Sequence, residues 1–160
     1  MELVAVAAVD DALGIGLDGE LPWDRMPADK RQYRAHVADG IVILGRRTFE
    51  SMLDDPPGRV QIVLSRGEYD PPIPSAYHAR DVDAAIELAE CFDDVVAYVL
   101  GGEAIYEAFL QHFDRLRLSR IPGEHEADAH FPEWDRSEWR LVRTTAFEGF
   151  ILEEWVRGGG

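Results

Sequence analysis

Asp29 is the residue of this sequence best placed to do chemistry on a bound ligand. It follows Pro27, a residue type suited to the first position of a helix, and an acidic side chain in the first turn complements the positive helix end. Tyr33 lies four residues further on, so the two side chains share one helical face. The preceding Leu21-Pro22-Trp23 is an aromatic loop stiffened by proline. We predict a single carboxylate sheltered behind this loop, able to bind and protonate a heterocycle.

Three predicted strands end in glycine or in basic residues, which are suited to phosphate binding. Gly45-Arg46-Arg47-Thr48 offers two forked cations, and we expect Thr48 to cap the helix that follows. Gly101-Gly102 also opens a helix, although Glu103 in its first turn would repel an anion, and Ser65-Arg66 ends a third strand. Each junction alone is also typical of a simple tight turn. Together they predict a ligand with several phosphates, such as a dinucleotide with an extra ribose phosphate.

Three other patterns in the sequence are poor sites. The G-x-G-x-x-G run over 14–19 follows a strand, but two prolines stand where a dinucleotide-binding helix would run, so we interpret it as a loop over a site. His125 and His130 are five residues apart, which does not place them on one helical face, and nearby prolines favour a loop. No metal site is expected. The serines have no His/Asp context for acyl transfer.

Short β-branched runs alternate with helical patterns, and this alternation predicts an α/β fold. Strands are predicted over 3–9, 41–44, 60–65 and 95–100, and helices over 28–38, 48–53, 82–91 and 103–113. Asp81 is expected to cap the third helix. Strands are then predicted over 115–121, 139–147 and 150–156, the last two as an antiparallel hairpin.

The composition excludes several classes of function. The 160 residues carry 31 acidic and 16 basic side chains, and the net charge of −15 disfavours binding to nucleic acid or an anionic membrane. Lys30 is the only lysine, so the acidic, arginine-bearing composition resembles that of proteins from salt-loving archaea. Cys91 is the only cysteine, so no internal disulfide can form. We expect its thiol to be buried. The apolar N-terminus is too short to span a bilayer, which favours a cytoplasmic protein.

The sequence resembles the dihydrofolate reductase family over nearly the whole chain. In chain order, the motifs that carry this resemblance are Ile15-Gly16, Leu21-Pro22-Trp23, Pro27-Ala28-Asp29, the run from Gly45 to Ser51, Pro57-Gly58-Arg59, Val63-Leu64-Ser65, Gly101-Gly102 with Tyr106, and the run from Asp128 to Pro132.

That resemblance implies one domain over residues 1–160. Its central mixed eight-stranded sheet would be mostly parallel, with a C-terminal antiparallel hairpin and four flanking helices. The implied activity is hydride transfer from NADPH to C6 of 7,8-dihydrofolate with protonation at N5, giving tetrahydrofolate for one-carbon metabolism. The expected partners are dihydrofolate and NADPH, and the expected state is a monomer.

The resemblance also assigns the pterin side of the site residue by residue. Asp29 matches the acid that hydrogen-bonds the pterin, Trp23 the tryptophan that orders a water near it, and Leu21 the apolar loop residue that closes over it. Arg59 matches the arginine that holds the α-carboxylate of the glutamate tail. The remaining matches to substrate contacts are Val6, Ala7, Tyr33, Met52, Leu100 and Ser119, the last of which matches a threonine that supports the acid.

On the cofactor side the matches fall into four groups. Ala8, Ile15 and Gly16 match the nicotinamide region, and Gly45, Arg46, Arg47 and Thr48 match the phosphate contacts. Ser65 and Arg66 match the adenosine-phosphate region, and Gly101, Gly102, Glu103, Ala104, Ile105 and Tyr106 match the remaining dinucleotide contacts.

The chain departs from the family pattern at several positions. Glu103 stands in place of the family's third glycine, Ala104 and Asp54 stand where arginine is found in other members, and the run from Trp23 to Pro27 is one residue longer than the usual bacterial spacing. Two alternatives stay open. One is a pterin or pyrimidine reductase of the same fold, such as that of riboflavin synthesis, and the other is a non-catalytic nucleotide-binding protein.

Overall fold

The computed structural model describes residues 1–24 and 26–158. Ten strands are present in the described residues: β1 (Glu2–Val9), β2 (Gly14–Gly16), β3 (Ile41–Gly45), β4 (Val60–Leu64), β5 (Ala76–Ala79), β6 (Val96–Val99), β7 (Arg115–Arg120), β8 (Ala129–His130), β9 (Trp139–Phe147) and β10 (Phe150–Arg157). The helices are α1 (Pro27–Val37), α2 (Arg46–Ser51), α3 (Val82–Glu90) and α4 (Glu103–Phe109), with 3-10 turns at Leu110–His112 and Arg136–Glu138.

Eight of the strands form one mixed sheet in the order β5-β4-β3-β6-β1-β7-β10-β9. All pairings from β5 to β7 are parallel, and β10 runs antiparallel to both β7 and β9. β1, β3 and β6 are almost wholly apolar, as expected where helices cover both faces of the sheet, whereas β7 alternates polar side chains with leucine and β5 is of mixed polarity. The predicted eight-stranded mixed sheet, its C-terminal hairpin and its four helices are confirmed.

Several element boundaries differ from the prediction. α2 begins at Arg46 directly after Gly45, so Thr48 is its third residue and the expectation that Thr48 caps it was wrong. α4 ends at Phe109 and continues as a 3-10 turn, and β5 was not predicted. The cap of α3 is confirmed, because the Asp81 carboxylate accepts the Ala84 N–H at 2.8 Å.

The two faces of β1 pack into different apolar clusters. Leu3, Ala5 and Val9 face the larger core with α3 and α4, whereas Val4 and Val6 face a second cluster with α1 and α2. This alternation follows from the two-residue period of a strand. The second face of the sheet is therefore the one on which α1 can carry Asp29 toward the strands.

The carboxyl ends of β1, β3, β4 and β6 meet at one edge of the sheet. The Gly45 N–H donates to the Gly101 carbonyl at 2.9 Å, which ties two of these strand ends together. In open α/β sheets, ligands bind outside this edge, where neighbouring strands connect in opposite directions. The edge is thus the place to look for a site.

Two further features concern the chain outside this edge. Cys91 lies exposed just after α3, so the expectation of a buried thiol was wrong. Within residues 1–24 and 26–158, each helix is too short or too polar to cross a membrane.

Candidate active site

Asp29 lies in the first turn of α1 and is held by two neutral donors. Its side chain is only 9% exposed. The Ser119 hydroxyl donates to its Oδ1 at 2.6 Å, and the Gln32 amide donates to the same oxygen at 2.9 Å. Within the described residues, no group donates to Oδ2. One carboxylate oxygen is therefore fixed by the protein, and the other could accept a hydrogen bond from a ligand.

Apolar side chains form the wall next to Asp29. Val6, Tyr33, Met52 and Leu100 belong to one cluster between α1, α2 and the sheet. Burial raises the pKa of the Tyr33 hydroxyl, an effect that neighbouring Arg34 opposes. Tyr33 is thus a neutral aromatic surface at ordinary pH.

Two residues assigned to ligand contacts point their side chains elsewhere. Ala7 packs against the opposite face of the sheet from Val6, so only its backbone can line the wall. Tyr106 is buried, and its hydroxyl donates to the Val6 carbonyl at 2.7 Å. Burial raises the pKa of this hydroxyl, which stays protonated as a donor. Tyr106 therefore holds α4 against β1.

The loop before α1 is anchored to β8 and to Asp128, the residue before it. The Asp128 carboxylate accepts the Asp18 N–H at 3.0 Å, and β2 pairs with β8. Trp23 is buried and packs edge-on against His125 at 5.7 Å between ring centroids. Its indole Nε1 has no acceptor among the described residues. Leu21 is 52% exposed, so in this conformation it does not cover the apolar wall next to Asp29.

The glycine-rich run before this loop does not start a helix. It forms β2 over Gly14–Gly16, and the next helix begins at Pro27, so no helix begins within the glycines. Ile15 packs against the larger core, and Gly16 approaches the Ala129 side chain so closely that an added Cβ would lie 3.3 Å away. Ala8 packs on the cluster that contains Trp23.

The strand ends carry exposed arginines and half-buried hydroxyl groups. Arg46 pairs with Glu50 at 2.7 Å and lies over the Tyr69 ring at 4.4 Å from its centroid. Arg47 and Arg66 are exposed, and Thr48 and Ser65 are half-buried. Arginine forks at these tips match the geometry of phosphate groups.

Glycines at the same edge allow α4 to pack directly against the strand ends. A Cβ added at Gly45 would lie 3.1 Å from Ile105, and one at Gly101, whose φ is +110°, would lie 3.1 Å from the Tyr106 ring. The Gly101–Gly102 peptide is cis. An added Cβ at Gly102 would have only the Thr48 hydroxyl nearby, at 3.8 Å, so the backbone there is open to a phosphate-bearing ligand beside the exposed arginines.

Glu103, in the first turn of α4, makes a structural contact with β8. Its carboxylate accepts the His130 N–H at 3.1 Å and so ties α4 to β8. Ala104 beside it is exposed. The Glu103 carboxylate is therefore engaged in a structural contact, but its negative charge stays at the start of α4.

Arg59, assigned to the glutamate tail, is held by a carboxylate of the protein itself. Its guanidinium pairs with Asp94 at 2.5 Å and donates to the Asp39 carbonyl at 3.3 Å. Asp54 nearby in the chain is exposed. A substrate carboxylate at Arg59 would compete with Asp94.

Three residues that hold Asp29 and Arg59 in place, Gln32, Arg117 and Asp94, were not identified from the sequence. Gln32 is three residues after Asp29, and this spacing alone places it on the same helical face. Arg117 is two residues before Ser119 on β7 and therefore shares its face of the strand. Asp94 carried no comparable signal, because it is 35 residues from Arg59 in the chain.

The fold and this site define a class of protein: an α/β enzyme that holds a heterocycle against one carboxylate and a phosphate-bearing cofactor at basic strand ends. Comparison with known proteins identifies the family. The family model described as dihydrofolate reductase matches residues 2–149. Dihydrofolate reductase HdrB of Haloferax volcanii is 37% identical to the chain, covering 98% of it and 84% of the relative. Dihydrofolate reductase 1 of Haloarcula marismortui is 36% identical, covering 96% and 90%.

A solved structure agrees with these relatives. Dihydrofolate reductase from Enterococcus faecalis, complexed with NADP(H) and RAB-propyl, superposes with a TM-score of 0.83 at 29% identity, covering 98% of this chain and 96% of the other. The chain belongs to the dihydrofolate reductase family, and the predicted resemblance and oxidoreductase class are confirmed.

Proposed function

We propose that this enzyme reduces 7,8-dihydrofolate to 5,6,7,8-tetrahydrofolate with NADPH. The observation that carries the proposal is the Asp29 carboxylate, which two donors fix through one oxygen beside an apolar wall. That arrangement leaves the second oxygen for a flat, polar heterocycle. Membership of the family supports this reaction, and we expect the side chains described above to contact the two ligands.

Asp29 binds and orients the pterin in this proposal. As an anion in a sheltered cleft it attracts the donor groups of the ring and stabilises its protonated form. Val6, Tyr33, Met52 and Leu100 exclude water on one side of the ring, and Trp23 with Leu21 would do so from the loop. NADPH supplies the hydride, and holding the two rings in register provides most of the acceleration that the protein contributes.

The cofactor would lie along the strand ends. Arg46, Arg47 and Thr48 would contact its phosphates, with Ser65 and Arg66 at the adenosine phosphate. The glycines Gly16, Gly45, Gly101 and Gly102 admit its backbone contacts, with Ala8, Ile15 and the start of α4 beside them. We expect a preference for NADPH because Arg46 and Arg66 can bind the extra ribose phosphate.

The setting of the enzyme is also a proposal. The acidic, nearly lysine-free composition and the two haloarchaeal relatives support a halophilic enzyme. We propose that it is one domain and a cytoplasmic monomer, and that it serves one-carbon metabolism without nucleic-acid or membrane partners.

A coupled assay in concentrated salt tests this function. NADPH absorbance at 340 nm should fall when dihydrofolate is added and stay constant without it. A pyrimidine substrate of riboflavin synthesis should give no turnover, and NADH should be less efficient than NADPH. Absence of dihydrofolate turnover with intact fold would refute the proposal, and turnover of the pyrimidine alone would favour the related reductase.

A further inference from the structure

The carboxylate of Asp29 is the end of a hydrogen-bonded chain that starts on β10 and runs across the face of the sheet that α1 covers. Glu154 on β10 accepts from Arg117 on β7 at 2.7 Å. Arg117 donates through its other terminal nitrogen to the Gln32 amide oxygen at 3.0 Å. The Gln32 amide nitrogen donates to Asp29 at 2.9 Å.

The chemistry of the two ends fixes the amide in the middle. A guanidinium has donors only, and an ionised carboxylate has acceptors only. Gln32 must therefore point its oxygen at Arg117 and its NH₂ at Asp29. The opposite orientation of Gln32 would face a donor with a donor and an acceptor with an acceptor. By binding the amide oxygen, Arg117 keeps the NH₂ group of Gln32 directed at the Asp29 carboxylate.

The register of the sheet holds Arg117 in place. Arg117 is paired with Val6 on β1 and with Glu154 on β10, so its backbone is held by neighbouring strands on both sides. Its side chain is only 14% exposed, compared with 72% for Arg143, the other arginine that contacts Glu154. Burial lowers the pKa of Arg117, and Glu154 opposes this effect.

Arg117 is the main positive charge next to Gln32, because the nearby His36 and Tyr98 are neutral and Arg143 contacts only the far oxygen of Glu154. His36 on α1 packs edge-on against Tyr98 of β6, with ring centroids 5.2 Å apart. Burial, together with the Arg117 charge, lowers the pKa of His36, which is therefore neutral at neutral pH. Burial also raises the pKa of the Tyr98 hydroxyl, which therefore stays neutral. Arg143 on β9 lies 3.8 Å from the other Glu154 oxygen.

We propose that Gln32 and Arg117 are positioning residues for the reductase reaction, which hold Asp29 as an oriented anion with Oδ2 directed to the pterin. This inference rests on the proposed function for its kinetic consequences. A donor to the charged form of a carboxylate favours that form, so losing the Gln32 donor makes Asp29 easier to protonate. Losing Arg117 lets the Gln32 amide rotate and has the same effect in weaker form.

Single-turnover hydride transfer measured against pH tests the proposal. Gln32→Leu should slow transfer at neutral pH about tenfold and move the midpoint of the pH profile upward by about 0.5–1 unit. Arg117→Met should move the midpoint in the same direction by less, and Arg117→Lys should restore part of the shift because an ammonium can still donate to Gln32. The double variant should behave like Gln32→Leu alone, because Arg117 acts through Gln32.

Arg143→Met is the matched control, since it removes an exposed arginine from the same Glu154 without touching Gln32. Its pH profile should equal that of the wild type. If Arg117→Met lowers the melting temperature but leaves the profile unchanged, its role is structural and the proposal is wrong. Additive shifts in the double variant would also overturn it, because Arg117 would then act independently of Gln32.

A second readout does not depend on turnover. The ¹³C shift of the Asp29 carboxyl in the ligand-free protein should titrate at higher pH in Gln32→Leu and Arg117→Met than in the wild type and Arg143→Met. Coincident titrations in all four proteins would refute the inference even if dihydrofolate is reduced. Absence of dihydrofolate turnover with displaced titrations would instead refute the proposed function alone. If Arg117→Met does not fold, Gln32→Leu, on the half-buried face of α1, carries the test.

Discussion

Replacing Asp94 by Asn should tighten the binding of dihydrofolate, because it releases Arg59 for the glutamate tail. The Arg59–Asp94 pair is 2.5 Å long, with side chains 48% and 22% exposed. Partly exposed pairs of this kind contribute about 0.2–1 kcal/mol. A tail carboxylate that must displace Asp94 loses that amount, which corresponds to a factor of about 1.4–5 in affinity.

The assay compares two substrates that share the ring. KM for dihydrofolate should fall by about 1.4–5-fold in Asp94→Asn. KM for dihydropteroate, which lacks the glutamate, should not change. The difference should shrink in molar salt, because screening weakens both the internal pair and the tail contact.

Asp93→Asn is the matched control, because it makes the same change of charge at the exposed neighbouring residue. If Asp93→Asn lowers KM as much as Asp94→Asn does, the effect is the general loss of negative charge and the reasoning about Arg59 is refuted. An equal decrease for dihydropteroate would refute it as well.

Three further predictions concern stability. Gly58 has φ +77°, and an added Cβ would lie 2.9 Å from the Gly40 carbonyl, whereas Gly19 has φ +81° and open space around it. Gly58→Ala should therefore lower the free energy of unfolding by about 1–3 kcal/mol more than Gly19→Ala does. Equal urea midpoints for the two variants would contradict this prediction. Burial would raise the pKa of the Asp10 carboxyl, but backbone N–H groups of Gly14, His125 and Ala12 lower it below 3.8. The stability that Asp10 contributes is therefore present above its unfolded pKa and is lost as the pH falls through its folded pKa. Asp10→Asn should lower the free energy of unfolding by about 1–3 kcal/mol at neutral pH and by less in acid. A difference in urea unfolding that does not depend on pH would be inconsistent with this linkage. The melting temperature should rise between dilute buffer and about 2 M potassium chloride, where screening shortens to a few ångströms, and a fall would count against halophilic adaptation.

The strands that position the site were predictable because they are short, buried, β-branched runs. β1, β3 and β4 were located to within a residue or two at each end. β5 (Ala76–Ala79) was missed because four residues of mixed polarity carry no clear period. The start of α2 was misplaced because Thr48 looks like a cap, whereas the extended Gly45 leads straight into the helix.

The placement of Asp29 and Tyr33 on one helix could be predicted, whereas the hydrogen bonds that Gln32 and Arg117 make behind Asp29 could not. Asp29 and Tyr33 are linked by helical spacing, which local sequence reveals. The contacts from Arg117 to Glu154 and to Gln32 span 37 and 85 residues of chain. They exist because β7 lies between β1 and β10 in a particular register, and no local pattern encodes that register. The same holds for the pairing of Asp94 with Arg59.

Hydride transfer in Asp29→Asn, followed in single turnovers with NADPH and dihydrofolate at neutral pH, is the measurement closest to the central claim. The account predicts a rate about 10²–10⁴-fold below that of the wild type with an unchanged circular dichroism spectrum, and near-normal transfer in the exposed control Asp24→Asn. Near-normal transfer in Asp29→Asn would contradict the account, because the ring would then be held and protonated without this carboxylate.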